Sequence, residues 1–194
     1  KAKEYMVGKG FDIIEGCLTY KKDYYRSGNI AERADELNAL IRNPEVKCIM
    51  STVGGMNSNS ILPYIDYAQL ASTPKIVIGY SDVTAILLGI YAKTGLVTYY
   101  GPAMVASFGE FPPFNDLTYG YFDDIVVNPG TVPYCLPRPN IWTDEFIPWD
   151  TQDRGKKSRA NALVTLNGGT AEGRLIGGNL NTMQGFWGSP YMPR

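Results

Sequence analysis

Histidine is absent from this chain of 194 residues, and its absence limits the chemistry that the chain can perform alone. A serine nucleophile normally needs a base to take its proton, and histidine is the usual one. A serine nucleophile here would therefore depend on a lysine, on a carboxylate, or on a base outside these residues.

Strong net charge, long apolar runs and paired cysteines are also absent. The net charge is −1 and no apolar run approaches the length of a membrane span, so we expect neither a nucleic-acid nor a membrane partner. Residues 1–4 do not form a signal peptide. Cys17, Cys48 and Cys135 lack C-x-x-C spacing and fit free thiols in a reducing, cytoplasmic compartment. We expect no cofactor and no metal.

Strand and helix patterns alternate along the first hundred residues. This order predicts an α/β fold with a doubly wound, mostly parallel sheet, whose ligands bind at the carboxyl ends of the strands. Strands are predicted at residues 11–15, 46–52, 76–78 and 96–100, and helices at 2–9, 30–42, 61–70, 82–94 and 117–127. Because such a sheet usually begins with a strand, the helix at residue 2 predicts that a first strand lies upstream.

The helix over residues 30–42 has the clearest pattern. Either Ser27 or Asn29 is expected to cap it. Its apolar stripe faces the core, and its charged residues are predicted to form a solvated face. Those charged residues are Glu32, Arg33, Asp35 and Glu36.

Residues 74–84 place a serine where a buried strand turns into a helix. The apolar run ends at Gly79, and Ser81 stands at the positive end of an apolar helix that Gly95 stops. This arrangement is typical of a nucleophile elbow, although the G-x-S-x-G pattern is absent. An ordinary helix N-cap explains the serine as well, and this stretch leaves both interpretations open.

A glycine pair, Gly54-Gly55, follows the preceding strand. It lets the backbone approach a ligand and turns N–H groups outward, to cradle a phosphate or to form part of an oxyanion hole. A plain tight turn is the alternative. Because Gly54-Gly55 and Ser81 both lie at carboxyl ends of predicted parallel strands, the sequence favours one shared site.

Proline and tryptophan mark the organisation of the last third of the chain. Four prolines between residues 129 and 140 predict a linker, and two tryptophans follow it. New strand structure is expected at residues 163–166. We therefore predict an N-terminal α/β domain over residues 1–133, an interdomain linker or loop over 134–170, and the incomplete beginning of a C-terminal domain over 171–194.

Four separated motifs together resemble the LD-carboxypeptidase family of serine peptidases. They are VGGMNSN at residues 53–59, GYSDVT at 79–84, YYGP at 99–102 and GRLIGGNL at 173–180. The resemblance runs over nearly the whole chain. Within the family, residues 107–111, 142–146 and 185–193 are similar to the microcin C self-immunity branch.

The resemblance implies a Ser-Glu-His triad with Ser81 as the nucleophile. It also implies an oxyanion hole of backbone N–H groups, which we place at Asp82, Gly54 and Gly55. The family's Glu and His lie beyond residue 194. We therefore expect an internal fragment that is inactive alone.

The resemblance further implies how substrate is held. In the immunity branch a tryptophan on the interdomain loop stacks on the nucleotide base of the substrate. Trp149 is the first choice here and Trp142 the second, with packing at the domain junction as the alternative for either. Asn57 and Asn179 are further substrate-binding candidates. A homodimer acting on a small modified peptide or a peptidyl-nucleotide is implied.

Three functions stay open at this point. The first is an amidase that cleaves the aminoacyl-nucleotide bond of microcin C-like inhibitors. The second is an LD-carboxypeptidase that releases the terminal D-alanine of cell-wall tetrapeptides, and the third is a binding module without catalysis. A Ser-Lys enzyme is disfavoured, because Lys93 lies far down the Ser81 helix and Lys75 at the far end of the strand.

Overall fold

A three-stranded parallel sheet forms the centre of the computed structural model, which describes residues 1–130 and 133–194. Its strands are β1 (Cys48–Met50), β2 (Ile76–Gly79) and β3 (Tyr99–Tyr100), in that spatial order. Val77 lies opposite Ile49, and Gly79 lies opposite Tyr100. The predicted parallel α/β sheet is confirmed, although β1 and β3 are shorter than the sequence suggested and β2 is one residue longer.

Helices cover the sheet. They are α1 (Ala2–Gly8), α2 (Ile30–Arg42), α3 (Tyr67–Ser72), α4 (Thr84–Thr94), α5 (Phe114–Phe122) and α6 (Leu180–Gln184). Short 3₁₀ helices over Ser58–Tyr64 and Ser81–Val83 precede α3 and α4, and π-helical turns over Met104–Phe108 and Asp123–Val127 flank α5. The single helix predicted over 61–70 is thus divided, because Asp66 starts α3 by accepting a hydrogen bond from the Gln69 N–H.

Both faces of the sheet are buried, as a doubly wound fold requires. Successive residues of β2 point to opposite faces, since the side-chain period of a strand is two. Val77 packs in a core that includes Leu70 and Ile90, whereas Ile78 packs in a second core with Phe108 and Phe122. The carboxyl end of β2 is therefore held from both sides.

Helix α2 begins at Asn29 rather than Ser27. The Asn29 side chain accepts a hydrogen bond of 3.0 Å from the Glu32 N–H, and the Glu32 carboxylate accepts one of 2.8 Å from the Asn29 N–H. These two bonds form a complete capping box.

The predicted solvated face of α2 is wrong for two of its four charged residues. Glu36 accepts a hydrogen bond of 2.6 Å from the Leu18 N–H. Arg33 donates to the side chains of Asn57 and Ser60 at 2.9 Å each. Helical periodicity could not show these contacts, because loops from elsewhere in the chain provide the partners.

Two predicted strands are absent from the described residues. Residues 11–15 and 163–166 form no strand. Phe11 packs against the second core without a partner strand, and Leu166 is 96 % exposed. Instead, β4 (Ile141–Trp142) and β5 (Arg159–Ala160) form a small antiparallel pair.

The last helix packs against the sheet domain. Met183 of α6 and the following Phe186 are buried in the first core, beside α4. The division at 1–133, 134–170 and 171–194 stays a prediction, and residues 131 and 132 of the predicted N-terminal domain lie outside the described residues. Across residues 1–130 and 133–194, no helix has the length and apolar character needed to cross a bilayer.

The three cysteine thiols are expected to differ strongly in reactivity. Cys17 and Cys135 are exposed, whereas burial raises the pKa of the Cys48 thiol to about 11. The thiolate is the reactive form, so at pH 8 Cys48 should react with Ellman's reagent roughly 100-fold more slowly than an ordinary thiol. In native protein, two thiols should react fast with Ellman's reagent and one slowly. In guanidinium, all three should react at the same rate. Three thiols that all react fast in native protein would contradict the partly buried position of Cys48.

Candidate active site

Ser81 has the backbone of a strained turn at the end of β2. Its φ is +59°, and only two other non-glycine residues of the described chain have positive φ. Such a conformation costs about 1–2 kcal/mol in an L-residue and persists only where the surroundings impose it. Neither the 3₁₀ helix at Ser81 nor α4 has a side-chain cap. The structure therefore favours the elbow interpretation over the N-cap.

Hydrogen bonds hold the Ser81 backbone on both sides. Its N–H donates to the Tyr100 hydroxyl at 3.1 Å, and its carbonyl accepts a bond of 2.6 Å from Thr84 Oγ1. Thr84 Oγ1 in turn accepts from the Asn179 N–H at 2.9 Å. Gly178, at φ +152°, lets this approach occur, because a Cβ there would lie 2.6 Å from Thr84 Oγ1.

The glycine pair lies directly against the elbow. A Cβ on Gly54 would stand 2.8 Å from the Ser81 Cβ and 3.0 Å from its Oγ, and one on Gly55 would stand 3.2 Å from Asp82 Oδ2. In the described residues, the amides of Gly54, Gly55 and Asp82 donate no hydrogen bond. Unengaged N–H groups beside a hydroxyl are the arrangement that an oxyanion hole needs.

The Asp82 side chain has a role that the sequence did not suggest. Its carboxylate is buried and accepts hydrogen bonds from the Asn57 N–H at 2.7 Å, the Ser58 N–H at 2.8 Å and the Ser58 hydroxyl at 2.7 Å. The residue after the serine thus ties the glycine loop to the elbow. An acidic residue in a first helical turn was the only sequence signal, and it does not specify a loop 25 residues away.

Asn57 and Asn179 both take part in local structure. The Asn57 Oδ1 accepts a hydrogen bond from Arg33, whose pKa is lowered by burial and secondly by Arg26. The Asn179 Oδ1 accepts from the Thr182 N–H at 3.0 Å and so begins α6. Within residues 1–130 and 133–194 neither side-chain NH₂ group donates a hydrogen bond, and the predicted substrate contacts of both residues stay predictions.

The two tryptophans lie outside this hydrogen-bonded group. Trp142 belongs to β4, and the Arg159 guanidinium lies 5.9 Å from its ring centre. Trp149 lies in a turn further along the chain and is 41 % exposed. One face of Trp142 is thus already occupied by a cation, which makes Trp149 the better candidate for stacking on a ligand.

Neither lysine of the Ser-Lys alternative is placed to serve Ser81. The Lys75 ammonium donates to the carbonyls of Asn43 and Val46 at 2.7 and 2.6 Å, at the opposite end of β2. The Lys93 ammonium lies 4.8 Å from the Tyr191 ring centre, in the last turn of α4. The geometry excludes both as a direct base.

A serine at a strained strand-to-helix turn, with unengaged amides beside it, is the arrangement of a serine hydrolase. The model of the LD-carboxypeptidase N-terminal domain matches residues 1–101, just over half of the chain. The chain belongs to the LD-carboxypeptidase family.

Individual relatives place the chain more closely. It is 58% identical over 193 residues to a putative carboxypeptidase of Vibrio cholerae, covering 100% of this chain and 58% of that protein. It is 52% identical over 192 residues to the microcin C7 self-immunity protein MccF of Escherichia coli, covering 98% and 56%. The solved structure of MccF with glutamyl sulfamoyl guanosine matches with a TM-score of 0.95 at 51% identity, covering 100% and 58%. The chain spans a little over half the length of the relatives it matches.

Proposed function

We propose that this chain provides the nucleophile domain of a serine amidase that cleaves the aminoacyl-nucleotide bond of microcin C-like compounds. The observation that carries the proposal is Ser81 at φ +59°, packed against Gly54. The relatives support the substrate class. MccF is a microcin C7 self-immunity protein. Its structure was solved in complex with aspartyl sulfamoyl adenosine and with glutamyl sulfamoyl guanosine. Those ligands join an aminoacyl group to a nucleoside, as the proposed substrate does.

In the proposed reaction the Ser81 hydroxyl attacks the carbonyl carbon of the aminoacyl group. The resulting oxyanion is received by the N–H groups of Asp82 and the Gly54-Gly55 pair, each such donor being worth about 10²–10³ in rate. The proton of Ser81 passes to a base and then to the leaving nitrogen of the phosphoramidate. By family resemblance that base is a histidine held by a glutamate, both beyond residue 194. Water then releases the acyl group from Ser81.

Trp149 is the proposed nucleotide-binding residue. It is exposed enough to offer a ring face. An MccF variant with one tryptophan changed to phenylalanine was solved in complex with adenosine monophosphate. Asn57 and Asn179 are proposed to donate to the aminoacyl part. The proposal extends to a cytoplasmic homodimer, and light scattering of the purified protein tests the dimer.

Murein peptide cleavage is the second candidate function. It is favoured by 29% identity over 182 residues to a probable murein peptide carboxypeptidase of Bacillus subtilis. The higher identity to MccF and the exposed Trp149 place it second.

A paired-substrate assay tests the proposal. A full-length protein carrying this sequence should hydrolyse an aspartyl-phosphoramidate adenylate at least about tenfold more efficiently, in kcat/KM, than it releases D-alanine from a muropeptide tetrapeptide. The 194-residue chain alone should hydrolyse neither. Faster release of D-alanine would select the murein function. Nucleotide binding without hydrolysis of either substrate would select the binding module.

A further inference from the structure

We propose that Glu110 is a positioning residue for nucleotide recognition, because its carboxylate anchors residues 143–157, the segment that carries Trp149. We call this segment the tryptophan loop. The inference rests on the proposed function, since it concerns how Trp149 is held where a nucleotide would meet it.

The anchor consists of two contacts to one buried carboxylate. Glu110 Oε1 accepts a hydrogen bond of 2.5 Å from the Lys156 ammonium, and Oε2 accepts one of 2.9 Å from the Gln152 side-chain amide. The Glu110 and Lys156 side chains are only 7% and 13% exposed. A buried charge pair tolerates little displacement, since separating it leaves a charge without a partner. Both contacts lie within seven residues after Trp149, so they restrict where its ring can go.

Glu110 is itself fixed to the Ser81 site. It follows the π-helical turn over Met104–Phe108, in which the Met104 N–H donates to the Ser51 carbonyl at 2.9 Å. Ser51 directly follows β1, the strand that leads into the Gly54-Gly55 loop. Burial raises the pKa of Tyr80, and the charges of Tyr100 and Glu110 raise it further. The anchor therefore connects the tryptophan loop to the elbow.

The tryptophan loop is closed on itself, so that the anchor acts on it as a unit. Arg154 donates to both carboxylate oxygens of Glu145, at 2.7 and 3.1 Å. The Lys157 N–H also donates to Glu145, at 2.7 Å. Trp149 lies between these partners along the chain. The loop is attached to the 104–114 region by the charged and polar contacts of Glu110, and Gly155 packs against the Pro112 carbonyl beside them.

Glu110→Gln tests the anchor, with two measurements on a full-length protein carrying this sequence. The dissociation constant for adenosine monophosphate, read from tryptophan fluorescence, is expected to rise about tenfold. Trypsin cleavage after Arg154, Lys156 or Lys157 is expected to become at least fivefold faster. The matched control is Asp144→Asn, which removes the exposed Asp144–Arg159 pair of the same region and should change neither quantity.

A companion variant keeps the test decisive if Glu110→Gln folds poorly. Lys156→Gln breaks the same pair, and Glu110→Gln combined with Lys156→Gln should recover part of the affinity because no unpaired charge is left buried. If Glu110→Gln were cleaved faster by trypsin but bound adenosine monophosphate with unchanged affinity, the positioning role would be overturned. An unchanged rate of trypsin cleavage would overturn it as well. If Trp149→Ala weakens binding while Glu110→Gln does not, the inference fails and the proposed function stands. If the unmodified protein does not bind the nucleotide, both fail.

Discussion

Turnover is expected to fall by about 10⁴-fold or more when Ser81 is replaced by alanine, because a nucleophile has no substitute in an acyl-transfer mechanism. The Ser81 hydroxyl does not cap the 3₁₀ helix or α4, so its removal should leave the protein folded. Nucleotide affinity should stay within about twofold of the unmodified protein. Equal turnover by Ser81→Ala would remove Ser81 from the mechanism altogether.

Comparison with Ser81→Gly separates the role of the hydroxyl from that of the backbone. Alanine retains a Cβ at φ +59°, whereas glycine adopts this conformation without steric cost. Both variants should be inactive, but Ser81→Gly should be more stable than Ser81→Ala by about 1 kcal/mol in denaturant unfolding. Equal stability of the two variants would mean that the elbow stores no strain.

Gly54→Ala is expected to lower kcat by about 100-fold or more, although the new side chain is a single methyl group. A Cβ at residue 54 would be 2.8 Å from the Ser81 Cβ, closer than real Cβ atoms come to other atoms. Either the loop or the elbow must move, and displacing a reacting group or an oxyanion donor by about 1 Å costs roughly two orders of magnitude.

The matched control for Gly54→Ala is Gly168→Ala. A Cβ on Gly168 meets nothing within 4 Å, so this variant should keep full activity. Steady-state kinetics of both variants, with thermal unfolding to confirm the fold, makes the comparison. If Gly54→Ala kept more than half of the activity, the glycine loop would not be part of the catalytic geometry.

The meeting of Gly54 and Ser81 was predictable from the sequence because parallel strands align their carboxyl ends. Three sequence features were enough to predict the elbow: an apolar run, its end at Gly79, and the apolar helix that follows. The hydrogen bonds to the Asp82 carboxylate were not predictable, since two of its three donors are backbone amides of residues 57 and 58. Backbone donors carry no side-chain signal in a sequence.

The failed predictions share a physical cause. Residues 11–15 and 163–166 are largely apolar segments of strand length, but a strand exists only where a neighbour accepts its hydrogen bonds. Arg33 has the helical position of a solvent-facing charge, yet a loop from residues 57–60 covers it. The local sequence pattern indicates which secondary structure and exposure a residue favours. The partners that decide its actual environment come from distant parts of the chain.

The contact from Asn179 to Thr84 has a consequence for synthesis on the ribosome. It joins residues 95 positions apart, and through Thr84 it supports the carbonyl of Ser81. The strand, turn and helix around Ser81 leave the exit tunnel long before residue 179 is made. The hydrogen-bonded support of the Ser81 backbone is thus completed only late in translation, so a nascent chain that stalls early lacks one side of it.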